Sequence, residues 1–173
     1  MENIEIKRAF IGDIEKLQKI GRSTFVETFA GDNTKENMAN YLEKGFSLEK
    51  LRLELQDPCS EIFFAQKEDL IIGYLKLNFG NSQTERQQDD ALEIERIYVL
   101  KAFHGLKVGQ LLYEKTVDIA TERKIRYIWL GVWEKNARAI HFYQKNGFKE
   151  FDKHIFQLGS EAQTDIMMKL ELV

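Results

Sequence analysis

Residues 93–109, EIERIYVLKAFHGLKVG, hold two arrangements with chemical capacity. The first is a loop, His104, Gly105, Leu106, Lys107, Val108 and Gly109, lying between a strand-like run (Ile97, Tyr98, Val99) and helical spacing at Val108, Leu111, Leu112 and Ile119. A glycine-containing loop entering a helix presents backbone N–H groups at the positive end of a helix dipole, an arrangement that binds phosphate oxygens. Gly105 and Gly109 allow close approach, and Lys107 adds positive charge. The loop is neither a Walker loop nor a G-x-G-x-x-G dinucleotide fingerprint. The second is a pair of carboxylates, Glu93 and Glu95. Strict alternation puts them on one strand face with Ile94 and Arg96 opposite, and a carboxylate so placed can accept a proton.

Other chemistries are excluded or left bland. Cys59 is the one cysteine and there are three histidines, so neither an internal disulfide nor a zinc-ligand spacing is present, and no metal is expected. A net charge of −3 offers no basic surface for nucleic acid and mildly favours cationic ligands. No apolar run approaches the roughly 20 residues of a membrane span. The start, MENIEIKRAF, lacks signal-peptide features, which makes a cytoplasmic location the expectation.

Positioning these residues requires a framework, expected as one α/β domain over 1–173. A strand over 4–10 precedes helical spacing from Ile14 to Phe29, with Asp13 as cap and a bend at Gly21. Asn33 and Glu36 suggest a capping box for a second helical region, and Ser47 restarts helix with Leu48, Leu51 and Leu55. EIFFAQK and LIIGYLKLNFG read as a hairpin, NSQTERQQDDA as a polar, mobile loop, and LEIERIYVL as a further strand. A helix over 105–124 then connects LEIERIYVL to the strand IRYIWLGVW as one parallel crossover, followed by the helix NARAIHFYQKNG and two closing strands.

The segment NARAIHFYQKNGFKE resembles the signature Asn-x-x-Ala-x-x-(Phe/Leu)-Tyr-x-Lys-x-Gly-Phe of the GNAT (GCN5-related N-acetyltransferase) family. Asn136, Ala139, Phe142, Tyr143, Lys145, Gly147 and Phe148 fill all its fixed positions. The loop at 104–109 is similar to that family's acetyl-CoA loop, with His104 where Gln or Arg is usual and Lys107 where glycine is usual. If Lys107 has negative φ its amide can still donate; if positive φ is required, the lysine is strained. The finer likeness of LEIERIYV, IWLGVWEKN and EAQTDIMMKL is to PaiA-type polyamine (spermidine/spermine) N-acetyltransferases.

The resemblance implies a GNAT fold: a mixed, mostly antiparallel sheet of about seven strands, splayed at a central parallel pair and flanked by four helices. It implies acetyl-CoA as acyl donor and direct attack by an amine, with no covalent enzyme intermediate. Glu95 corresponds to the family's base, often acting through water, and Tyr143 to the donor that protonates the departing thiolate. The oxyanion falls to a backbone N–H, that of Val99. Pantetheine binding falls to Ile97, Tyr98 and Val99, and further coenzyme contacts to Asn136 and Lys145. A base is needed because an alkylamine with pKa about 10.4 is almost wholly protonated at pH 7.

The implied acceptor is a small primary amine. Glu27, Asp32 and Glu36 supply negative charge, Phe29 and Tyr41 apolar walls, and Trp133 a further wall, which suits a polyamine. Two rivals stand beside this: a protein N-terminal or lysyl acetyltransferase, which needs a peptide-width groove, and a weakly catalytic acetyl-CoA-binding regulatory module, which binds the coenzyme without releasing thiol. His141 and His154 read as surface or packing residues. Nothing in the sequence sets the oligomeric state, and a homodimer is left open.

Overall fold

The computed structural model describes residues 3–85 and 87–172. Arg86, inside the polar loop, and the terminal residues Met1, Glu2 and Val173 lie outside that description.

Seven strands form one sheet in the order β1-β2-β3-β4-β5-β7-β6. They are β1 (Ile4–Arg8), β2 (Ser60–Lys67), β3 (Leu70–Phe79), β4 (Ala91–Val99), β5 (Tyr127–Trp133), β6 (Lys149–Leu158) and β7 (Glu161–Glu171). Every neighbouring pair is antiparallel except β4 and β5. Among the described residues five helices flank it: α1 (Ile14–Phe29), α2 (Lys35–Gly45), α3 (Leu48–Gln56), α4 (Val108–Glu122) and α5 (Ala137–Lys145). The fifth arises because the second helical region breaks at Phe46, after which Ser47 caps α3 by accepting from Lys50 N at 3.2 Å.

Three local expectations are corrected. The cap of α2 is Thr34, which accepts from Asn37 N at 3.1 Å, whereas Asn33 donates to Phe29 O and accepts from Gln163. Asp13 stands at the start of α1 without capping it; its carboxylate reaches back to Phe10 N at 3.1 Å. Gly21 lies within continuous helix, and its role is steric: a Cβ there meets the Phe46 ring at 2.6 Å.

The sheet separates two cores. Leu92, Ile94, Ile128, Leu130 and Val132 pack with α4 and α5, and Phe64, Tyr74 and Trp133 pack with α1 to α3. Alternation within β4 is interrupted, since Lys76 pairs with Arg96 but Leu77 pairs with Ile94, leaving Glu95 as the extra residue of a β-bulge. The bulge resets parity. Ile97 and Val99 join the α4 side, so Arg96 shares a face with Glu93 and Glu95 instead of opposing them. A bulge also bends its strand, and β4 pairs with β5 only at Ala91–Tyr127, Leu92–Ile128 and Glu93–Trp129 before the two diverge.

Candidate active site

Divergence of β4 and β5 opens a cavity of about 1280 Å³ that crosses the sheet from α4 and α5 to α1 and α2. Beyond Glu93 the inner edge of β4 has no strand to pair with, so its backbone groups face the gap. Leu100 N is bonded to Ile72 O on the β3 side at 2.9 Å. By alternation the N–H groups of Val99 and Ile97 point the other way, into the gap. That edge fits an extended amide-bearing chain, which would add to the sheet as a strand does.

At one mouth stands the N-terminus of α4. The first intrahelical bond runs from Leu111 N to Lys107 O, so the N–H groups of Val108, Gly109 and Gln110 precede it and need another acceptor. Apart from the adjoining residues and the helix's own backbone, no atom of the described residues lies within 4 Å of where a Cβ at Gly105 or Gly109 would project, leaving the approach open. Gly105 has φ +88, which only glycine adopts readily. This cradle fits a diphosphate.

Lys107 resolves the alternative left by the sequence: its φ is +61, in the left-handed region. A residue with a Cβ there is strained by roughly 1–2 kcal/mol. Lys107→Gly is therefore expected to raise stability by about 1 kcal/mol, a rise of about 2–4 °C in Tm for a chain of this size. Thermal unfolding of the ligand-free protein measures this directly.

His104 lies at the same mouth, its Nε2 donating to Val99 O at 2.9 Å. The imidazole thus ties the loop to the end of β4. Val108, Gly109 and Lys107 line the cavity, whereas Leu106 is exposed and turned away from it.

Helix α5 brings up the other wall. Asn136 caps it, accepting from Ala139 N at 3.2 Å, and exposed Lys145 stands at its last turn beside the cavity. Tyr143 is buried between Phe142 and Phe148, with ring centroids 5.5 and 5.6 Å away. Burial pushes its phenol well above the ordinary value, so it stays protonated. Among the described residues the phenol has no hydrogen-bond partner, and it borders the cavity. It can therefore deliver a proton to a group lodged there.

Glu95 also borders the cavity, and it is heavily engaged. Lys76 Nζ lies 2.5 Å away, Arg96 3.5 Å, and Asn78 Nδ2 donates to it at 2.8 Å. Burial opposes its ionisation, but Arg96, Lys76 and Asn78 outweigh that and hold its pKa at about 2. Glu54 on α3 completes the cluster with two bonds to Arg96 at 2.9 and 3.0 Å and a contact to Lys76 at 3.4 Å. Glu93 accepts from Asn78 Nδ2 at 2.9 Å and from Thr84, and burial raises its pKa against those bonds. Thr84, together with Ser82 bonded to Asp57 and Gln83 bonded to Trp129, pins the described start of the polar loop.

On the α1–α2 side, Glu27, Asp32, Phe29, Tyr41 and Trp133 line the cavity, and Glu36 does not. Phe29 packs against Trp133 at 5.4 Å, and Glu27 accepts from Lys101 N at 2.8 Å. Asp165 and His154 lie here too, His154 Nδ1 being paired with Glu85. Neither Asp165 nor the Glu54–Lys76–Arg96 cluster was signalled by a local motif.

Comparison with known proteins agrees with this geometry. The acetyltransferase (GNAT) family pattern matches residues 24–148. An uncharacterized N-acetyltransferase from the pepI 3' region of Lactobacillus delbrueckii subsp. lactis is 38% identical over 173 residues, covering 100% of both chains. The spermidine N(1)-acetyltransferase of Thermoplasma acidophilum is 28% identical over 154 residues, 87% of this chain and 91% of that one. The crystal structure of a PaiA N-acetyltransferase from the same organism, in complex with coenzyme A, superposes with a TM-score of 0.81 at 25% identity, covering 98% of this chain and 99% of that one.

The chain belongs to the GNAT family and is an N-acetyltransferase that uses acetyl-CoA. Among the described residues no group of three His, Cys, Asp or Glu side chains is placed to hold a metal, and no helix is long and apolar enough to cross a membrane.

Proposed function

We propose that the acceptor is a polyamine such as spermidine or spermine, acetylated on a primary amine. The observation that carries this reading is the acceptor half of the cavity, where the carboxylates Glu27, Asp32 and Asp165 alternate with the rings of Phe29, Tyr41 and Trp133. A chain of methylenes interrupted by cations matches acids set among aromatic walls. The named spermidine acetyltransferase among the relatives supports it.

Acetyl-CoA supplies an activated acetyl thioester. The N–H groups of Val108, Gly109 and Gln110 would hold its diphosphate, with Gly105 leaving the approach open, Lys107 and Lys145 as nearby cations and Asn136 fixing the start of α5. Ile97, Tyr98 and Val99 hold the pantetheine arm along the open β4 edge, and Val99 N–H polarises the thioester carbonyl. Tyr143 gives its proton to the leaving sulfur.

Glu95 has an electrostatic part. Its pKa is held at about 2, further below that of an alkylammonium than an ordinary carboxylate's, which makes it a poor proton acceptor. Glu95 instead remains ionised and, through water, stabilises the cationic nitrogen.

Thiol release measured with spermidine, spermine, putrescine and a lysine peptide tests the substrate class. The expected outcome is a kcat/KM at least about tenfold higher for the polyamines, the discrimination of roughly one additional charged contact. Uniformly slow turnover of all four removes the polyamine reading.

A further inference from the structure

We propose that Asp165 on β7 is the group that receives the acceptor's ammonium and takes its first proton. The proposal rests on amine acetylation and not on the polyamine as acceptor.

Its placement is unusual for a strand residue. Asp165 pairs with Trp133 across β5 and β7, and its Oδ2 lies 3.5 Å from the point where a Cβ at Gly131 would stand. Trp129, Gly131 and Trp133 share a strand face, so the missing side chain at Gly131 leaves a space between two indoles. The Asp165 carboxylate occupies the space above that strand and reaches toward the open β4–β5 gap. A cation arriving there meets a carboxylate beside the Trp133 ring, two attractions that reinforce each other.

The other partly buried acids of this cavity are committed elsewhere. Glu27 accepts from Lys101 N, Glu93 from Thr84 and Asn78, and Glu95 from Lys76 and Asn78. Among the described residues the Asp165 carboxylate makes no hydrogen bond and no Lys or Arg ion pair, and its charge is influenced by burial and His154 alone. The ionisable group packed beside it is His154 on β6, directly opposite in register and itself paired with Glu85 from the polar loop. Lys135 lies over the Trp133 ring at 5.9 Å and borders the same cavity, as do Glu93, Glu95, Glu27 and Asp32. Burial raises the pKa of Asp165, with His154 opposing, which makes it a better proton acceptor than Glu95.

The step balances as follows. R–NH3+ passes one proton to the Asp165 carboxylate, and the freed nitrogen lone pair forms the N–C bond to the acetyl carbon. The C–S bond breaks with its electron pair on sulfur, which takes the Tyr143 phenolic proton. The nitrogen loses its second proton to water, Asp165 gives up the first to solvent, and Tyr143 regains one, so that one proton is released overall.

The test compares wild type with Asp165→Asn, Asp165→Ser and Asp165→Glu. Steady-state kinetics with butylamine and with spermidine are paired with calorimetric titration of each amine into the coenzyme A complex. Asp165→Asn and Asp165→Ser are expected to weaken amine binding about tenfold and to lower kcat/KM for both amines about 30-fold, while acetyl-CoA affinity stays within about twofold. Asp165→Glu should restore part of the loss. A kcat/KM within about twofold of wild type in both neutral variants, or a parallel loss of acetyl-CoA affinity, overturns the assignment. A wild type that acetylates butylamine as well as spermidine removes the polyamine reading and leaves the Asp165 comparison in force. A wild type whose coenzyme complex binds neither amine overturns both.

Discussion

Tyr143→Phe is expected to lower kcat about 100-fold while leaving acetyl-CoA affinity within about threefold of wild type. The substitution keeps the ring, which makes edge contacts with Phe142 and Phe148, and removes one oxygen that has no hydrogen-bond partner among the described residues. Nothing in the protein is orphaned by that change, so the folded state should lose less than about 1 kcal/mol. The catalytic effect is far larger because burial holds the phenol protonated at the working pH, ready for the sulfur. A thiol of pKa about 8.5 leaves tolerably well without help, which places the loss at the lower end of the range for general acids. Single-turnover thiol release at saturating acetyl-CoA, with binding measured separately by calorimetry, separates the two effects. A kcat within about threefold of wild type shows that another group protonates the sulfur.

Those parts of the site that depend on contiguous residues were readable in advance. The loop from His104 to Gly109 and the helix from Asn136 to Lys145 are local strand-to-helix turns, whose glycines and cap residue mark them wherever they occur. Both now border one cavity, together with Ile97, Tyr98, Val99 and Tyr143. Side-chain meetings across the fold were not readable. Glu54 on α3 joins Arg96 on β4 over 42 residues, and Asp165 comes to rest above Gly131 only because β7 inserts between β5 and β6. The bulge at Glu95 leaves no compositional mark, since a strand with one residue too many still alternates in its letters. That single insertion moved Arg96 onto the Glu95 face, making the expected base a member of an ion cluster. The restart of helix at Ser47 was legible from its cap residue, whereas the count of four flanking helices came from the family resemblance, and five stand among the described residues.

Glu95→Gln follows from the same cluster and should be felt first in stability. The folded-state pKa of Glu95 lies at about 2, below its ordinary 4.5, because Arg96 and Lys76 outweigh the cost of burial. A depressed carboxylate stabilises the folded state fully above the unfolded pKa, and that contribution is lost as pH falls from about 4.5 through about 2. Its full size is about 3 kcal/mol. Glutamine keeps the shape and the bond from Asn78 but leaves Lys76 and Arg96 to Glu54 alone, an incompletely compensated buried charge. The variant should therefore unfold about 6–12 °C lower at pH 7, and the difference from wild type should shrink toward zero near pH 2. Urea titrations at several pH values between 2 and 7 measure both. With the protein kept well below its Tm, turnover should fall by only about tenfold, because a fixed charge acting through water is lost and not the proton acceptor. Undiminished stability at pH 7 means that the carboxylate is not held by its two cations, and the proton-accepting role then returns to Glu95.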